Sequence, residues 1–121
     1  MRKIEVYFYE TPDGKEPVRE FLDSLDVKMK AKMLRTISLL KDNGNELREP
    51  VSKSLGDGIF ELRAQMGNNI TRVLYFFFIG NRAILTNGFT KKTQKTPPGE
   101  IDRAKRYRAE FLERMEDHDK L

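Results

Sequence analysis

The chain has no cysteine, no tryptophan, a single histidine (His118) and only five prolines in 121 residues. Without thiols there is no disulfide framework, no cysteine nucleophile and no thiolate metal site. One imidazole cannot build a histidine-based metal cluster, and His118 sits in a charged tail where it reads as inert. Long apolar runs are missing too. Residues 1–9 alternate apolar and polar rather than forming a signal-type stretch, and the longest apolar run, 73–79, is far too short to cross a bilayer. These absences point to a soluble, cytoplasmic protein with no metal and no cofactor. What remains suffices for one core: 38% hydrophobic residues, including eight Phe and four Tyr, suit a single domain over residues 1–121. No repeat, low-complexity segment or linker interrupts it.

Charge is abundant but nearly balanced, with 23 Lys/Arg against 19 Asp/Glu and a net +4. Its distribution is uneven. Between residues 58 and 96 stand Arg63, Arg72, Arg82, Lys91, Lys92 and Lys95 against Glu61 alone, a local +5 that leaves the rest of the chain at −1. The surplus is therefore confined to one third of the molecule.

Hydrophobic period assigns the elements. Ile4, Val6 and Phe8 alternate with polar neighbours as in a half-buried strand, ended by Pro12, Asp13 and Gly14. Val18, Phe21, Leu22 and Leu25 follow Pro17 at helical spacing. Asp26 is placed to cap a second helix, with Met29, Met33, Leu34, Ile37 and Leu40 as its buried stripe and Asn43-Gly44 as its stop. Its basic residues, Lys28, Lys30, Lys32, Arg35 and Lys41, read as a solvated face. Residues 45–57 read as a connector. The period then returns to two. Phe60, Leu62, Ala64 and Met66 point one way, and Ile59, Glu61, Arg63 and Gln65 the other. Gly67-Asn68-Asn69 is a turn, and 70–79 is a strand apolar on both faces, which belongs mid-sheet. Gly80-Asn81 is a two-residue hairpin signal, and 83–89 is another strand. Pro97-Pro98 opens a last helix with Ile101, Ala104, Tyr107, Phe111 and Met115 as its stripe, and residues 116–121 read as a frayed tail. The order is β-α-α-β-β-β-α, an α+β fold with an antiparallel sheet.

An even loop at Gly67 would place Arg72 opposite Gln65 and Arg63 opposite Leu74, putting both arginines on the face of Glu61; an odd loop would separate them. With the KKTQK segment arriving from the next strand, such a face would be a concave basic surface suited to phosphate. Phe76 or Phe78 offers a base-stacking surface there, although aromatics in a central strand are more often core. The plainer reading is that Glu61 forms a cross-strand ion pair with Arg63 or Arg72, worth roughly 0.2–1 kcal/mol, and that Lys91, Lys92 and Lys95 solubilise a loop. Tyr75 and Tyr107 read as core residues with wet hydroxyls. Residue physics alone therefore reaches a basic sheet face for a phosphodiester or an acidic partner.

The words GIFELR (58–63), RVLYFF (72–77) and GFTKKTQKTP (88–97), followed by Glu100-Ile101 and a basic helix, resemble the RelE/ParE toxin superfamily, and within it the phage-derived HigB-like branch. The resemblance extends from YFYET (7–11) through Ala104. It implies a RelE-like β-α-α-β-β-β-α fold and the toxin of a type II toxin-antitoxin system. The implied activity is that of a metal-independent, ribosome-dependent mRNA endoribonuclease, or mRNA interferase, that inhibits translation. The implied partners are mRNA, the ribosome and a helix-turn-helix, HigA-like antitoxin. On this resemblance Arg63, Arg72, Lys92, Lys95 and Glu61 are the catalytic candidates, and Lys91, Arg82, Gln65 and Thr93 would bind RNA or phosphate. A lysine lowered in pKa by its cationic neighbours is the preferred base, with Glu61 as the other candidate. Two departures stand out. Asn87 occupies a position that is often histidine in relatives, and ParE-like members share the fold yet inhibit DNA gyrase instead of cutting RNA. A gyrase inhibitor, or a catalytically weak partner-binding module, is thus the alternative.

Overall fold

Local chemistry sets the ends of the first two helices. Pro17, whose fixed φ and missing N–H suit a first helical turn, opens α1 (Pro17–Ser24). Asp26 Oδ1 accepts the Met29 amide at 2.9 Å and caps α2 (Val27–Asn43), which ends where the Gly44 amide, at φ +57, bonds to the Leu40 carbonyl. Ahead of them lies β1 (Glu5–Phe8). After them come β2 (Ser52–Gly56), β3 (Ile59–Met66), β4 (Asn69–Phe78), β5 (Arg82–Lys91) and α3 (Pro98–Asp119). The computed structural model describes residues 3–119, with side chains to Glu116, so the reading of His118 as inert lies outside the described side chains. α3 continues to Asp119, beyond the point where its apolar stripe ends, while Lys120 and Leu121 lie outside the described residues. No helix among the described residues is long and apolar enough to cross a membrane.

The five strands run in the order β1-β5-β4-β3-β2. The doubly apolar strand β4 is thus central, covered on both faces as its sequence requires. On one face, Leu62, Ala64, Val73, Tyr75, Ala83 and Leu85 pack against Val18 and Leu22 of α1 and Met29, Met33, Ile37 and Leu40 of α2. On the other, Ile59, Leu74, Phe76, Ile84 and Phe89 pack against Ala104, Ile101, Tyr107 and Phe111 of α3. The fold is α+β, a sheet between two helical layers.

The structure corrects five details. Residues 52–56, expected to lie in a connector, form the edge strand β2, antiparallel to β3. The sheet is mixed rather than wholly antiparallel, because β1 pairs parallel to β5. The β4–β5 loop has three residues, 79–81, with Gly80 at φ +76, not two. Leu34 is 43% exposed, and Thr36 takes the buried place beside Met33 and Ile37. The Tyr75 hydroxyl is not wet; it shares a 2.5 Å hydrogen bond with the buried Ser52 hydroxyl.

A β-bulge divides β5. Leu74 pairs with Asn87 but Tyr75 with Leu85, which leaves Thr86 as the extra residue, its hydroxyl 3.2 Å from the Leu74 carbonyl. The bulge reverses the side-chain phase. Ala83 and Leu85 face α1 and α2, whereas beyond it Asn87 and Phe89 face α3 and Gly88 turns toward α1. A Cβ on Gly88 would enter the ring of Phe21. Gly88→Ala is therefore expected to destabilise the fold by about 1–3 kcal/mol through overpacking. Urea unfolding measures this, and a change below about 0.5 kcal/mol would show that the ring yields freely.

Candidate functional site

The β3–β4 hairpin turns on Gly67 and Asn68, with Gly67 at φ +59, so its loop is even. The register lies two residues from the expected one: Arg63 pairs directly with Arg72, and Gln65 with Ile70. Both arginines consequently share the α3 face with Glu61, just beyond the end of the apolar patch that α3 covers. Two like charges placed directly opposite each other are unfavourable, and a counter-charge is needed.

Glu61 supplies it. Its side chain is fully buried; Oε2 accepts from Arg63 Nε, Oε1 accepts from the Thr96 hydroxyl, and Arg72 Nε lies 3.9 Å from Oε1. Arg72 is fully buried as well. Its Nη2 donates to the Thr93 carbonyl and its Nη1 to the Ile70 carbonyl at 3.3 Å, and its guanidinium lies 5.3 Å from the Phe89 ring centre. Its Nε has no hydrogen-bond partner. Burial, chiefly, and the Arg63 charge pull Arg72 below the ordinary arginine value, against the opposing effect of Glu61. Arg63 is partly exposed and reaches outward: Nη1 donates to Gln94 Oε1 at 3.1 Å and Nη2 to the Gln94 carbonyl.

These contacts trace the connection between β5 and α3. The Thr93 carbonyl meets Arg72 on β4, the Gln94 carbonyl meets Arg63 on β3, and Thr96 meets Glu61 on β3. Residues 92–96 therefore pass over β4 and then β3 before α3 begins. Lys91, Lys92 and Lys95 are exposed around this crossing, and none of them forms an ion pair among the described residues. Lys95 and Arg63 line one groove of about 450 Å³, together with Lys53, Ser54, Gln94 and Thr96. Arg63 and Gln94 line a second, of about 530 Å³, with Lys32, Lys53 and Gln65.

Five of the nine residues singled out from sequence meet here, Glu61, Arg63, Arg72, Thr93 and Lys95, while Lys91, at the end of β5, and Lys92 precede Thr93 in the chain and are exposed. Gln65 stands nearby on the second groove, its Nε2 bonded to the Gly67 carbonyl at 3.0 Å. Arg82 does not join them. It begins β5, opposite Phe78 and 3.8 Å from Glu5, at the far end of the strand from Phe89. Phe76 and Phe78 share the α3 face of the sheet but do not reach the site, since both pack edge-on against Phe111. Asn87 is buried, and its Nδ2 donates to Glu100 Oε1 at 3.0 Å and to the Glu100 carbonyl at 3.2 Å. Lys53 is a site residue that periodicity misses. It lies on β2, paired with Glu61 in the register, and lines both grooves. Among the described residues, no group of three or more His, Asp or Glu is arranged to hold a metal ion.

Residues 20–109 match the family described as phage derived protein Gp49-like (DUF891). The chain belongs to the Gp49-like family. This is a toxin-like family of the kind found in toxin-antitoxin systems. The Gp49-like segment runs from α1 into α3, and so contains Glu61, both arginines, Lys53 and the whole 92–96 crossing. No curated protein sequence matches the chain.

Proposed function

We propose that this Gp49-like protein is the toxin of a type II toxin-antitoxin system and an mRNA endoribonuclease acting on the ribosome. The observation that carries the reading is the direct pairing of Arg63 with Arg72 on one sheet face, bordered by Lys53 and Lys95, with exposed Lys91 and Lys92 next in the chain to the Thr93 carbonyl that meets Arg72. Paired guanidinium groups suit a phosphodiester because each can donate two parallel hydrogen bonds to its oxygens. In the proposed reaction the RNA 2′-oxygen forms a bond to the adjacent phosphorus as the bond to the 5′-oxygen breaks. A base takes the 2′-hydroxyl proton and an acid returns one to the leaving 5′-oxygen. Arg63 and Arg72 stabilise the extra negative charge on the phosphorane. Lys95 is the preferred base, because it is exposed and shares a groove with Arg63, whereas both oxygens of Glu61 are engaged in the interior. Glu61 is assigned the task of holding the guanidinium groups. The proposed partner is a helix-turn-helix antitoxin.

One observation favours the alternative, a toxin that binds gyrase or another target without cutting RNA: Arg72 is fully buried and its Nη2 is already engaged. A pair of assays separates the two. The endonuclease reading expects mRNA cleavage in a translating extract and unchanged supercoiling by purified gyrase. Inhibited gyrase with intact mRNA would reverse the assignment.

A further inference from the structure

We infer that residues 92–96 are an autoinhibitory strap, a piece of the chain's own backbone that occupies the arginine pair and must be displaced by a polyanion before Arg72 can touch it. The inference rests on the endonuclease reading only in naming single-stranded RNA as the polyanion.

Both guanidinium groups hold main-chain oxygens of this segment. Arg72 Nη2 is bonded to the carbonyl of Thr93 and Arg63 Nη2 to the carbonyl of Gln94, consecutive carbonyls of one segment, and Gln94 Oε1 adds a third acceptor at 3.1 Å from Arg63 Nη1. Arg72 is thereby sealed from solvent, and its buried Nε is left without a partner. Such a closed state is replaceable. The strap offers neutral amide oxygens, whereas a phosphodiester offers anionic ones that can take a guanidinium fork bidentately. The strap has no acidic residue of its own. It carries Lys92 and Lys95 on its outer side, exposed, where an approaching polyanion meets them first.

The strap is also anchored independently of the arginines. The Thr96 hydroxyl, 5% exposed as a residue, donates to Glu61 Oε1, and α3 begins two residues later at Pro98. Thr96 thus fixes the end of the strap nearest α3, and Gln94 fastens its middle. Weakening either contact should raise the open fraction, and apparent affinity scales with that fraction.

Thr96→Val removes the hydroxyl that reaches Glu61, and Gln94→Ala removes an exposed side-chain acceptor; neither alters an arginine. Binding is measured by fluorescence anisotropy with a labelled single-stranded oligoribonucleotide that is fully 2′-O-methylated and so lacks the attacking hydroxyl. Circular dichroism checks folding, and Gln94→Ala is the arm least able to disturb it. Each variant is expected to bind about three- to tenfold tighter than the natural chain. Equal or weaker binding by a folded Gln94→Ala chain would overturn the strap. mRNA cleavage by the natural chain, followed separately, keeps the two readings apart. Tighter binding without cleavage retains the strap and removes the nuclease, whereas cleavage without tighter binding does the opposite.

Discussion

Replacing Glu61 by glutamine is expected to destabilise the fold by about 3–5 kcal/mol, the range for removing one partner of a buried ion pair. Glutamine keeps the shape and one acceptor oxygen, so the loss isolates the charge. Two guanidinium groups are then left directly opposite each other across β3 and β4, one of them fully buried, with no anion between them. Arg72 has no polar exit, because its Nη2 and Nη1 already rest on backbone carbonyls and its Nε has no acceptor. Urea or thermal unfolding of the natural and Glu61→Gln chains at neutral pH measures the difference. A loss under about 1 kcal/mol would mean that Glu61 is no more than the ordinary cross-strand pair that its sequence position allows.

The second large effect concerns activity. Arg63→Ala is expected to slow mRNA cleavage in a translating extract by about 10²–10³-fold, the usual consequence of deleting one preorganised donor to a developing oxyanion. Arg63 suits this test better than Arg72, because its side chain is 18% exposed and borders the grooves, whereas Arg72 is part of the interior. Arg63→Lys keeps the charge but loses the planar fork, and should retain an intermediate rate. Cleavage by a folded Arg63→Ala chain at the natural rate would remove Arg63 from the reaction.

Much of the architecture is written in periodicity. Pro17, Asp26 and Gly44 mark helix ends by local chemistry that tertiary contacts merely complete, and the apolar run of β4 announces its central position. What escapes is equally physical. β2 is an edge strand whose middle residues, Lys53 and Ser54, are both exposed, so no apolar alternation betrays it, and Lys53 is lost with it. Neither the parity nor the size of the Gly67 loop is legible in side-chain alternation, and the two-residue loop that forms pairs the arginines directly instead of diagonally offset. The strap escapes altogether, since KKTQK displays its lysines while the contacts that close the site come from main-chain carbonyls. Arg82 is basic and falls in the charged third of the chain, yet strand length carries it to the opposite end of the sheet.

Thr86 works as a parity switch. A strand of ten residues with a constant alternation could serve only one pattern, but the extra residue lets β5 carry two in succession. Its first half delivers Leu85 to the α1–α2 core. Its second half delivers Asn87 and Phe89 to the opposite side, where Phe89 lies beside Arg72 and Asn87 ties β5 to the start of α3. Without residue 86 the same letters would send Asn87 and Phe89 toward α1 and present Gly88 to the arginines. The segment that crosses the site would then leave β5 from the wrong side. One inserted residue, itself fully buried, thus decides which face of the sheet the chain crosses on its way to α3.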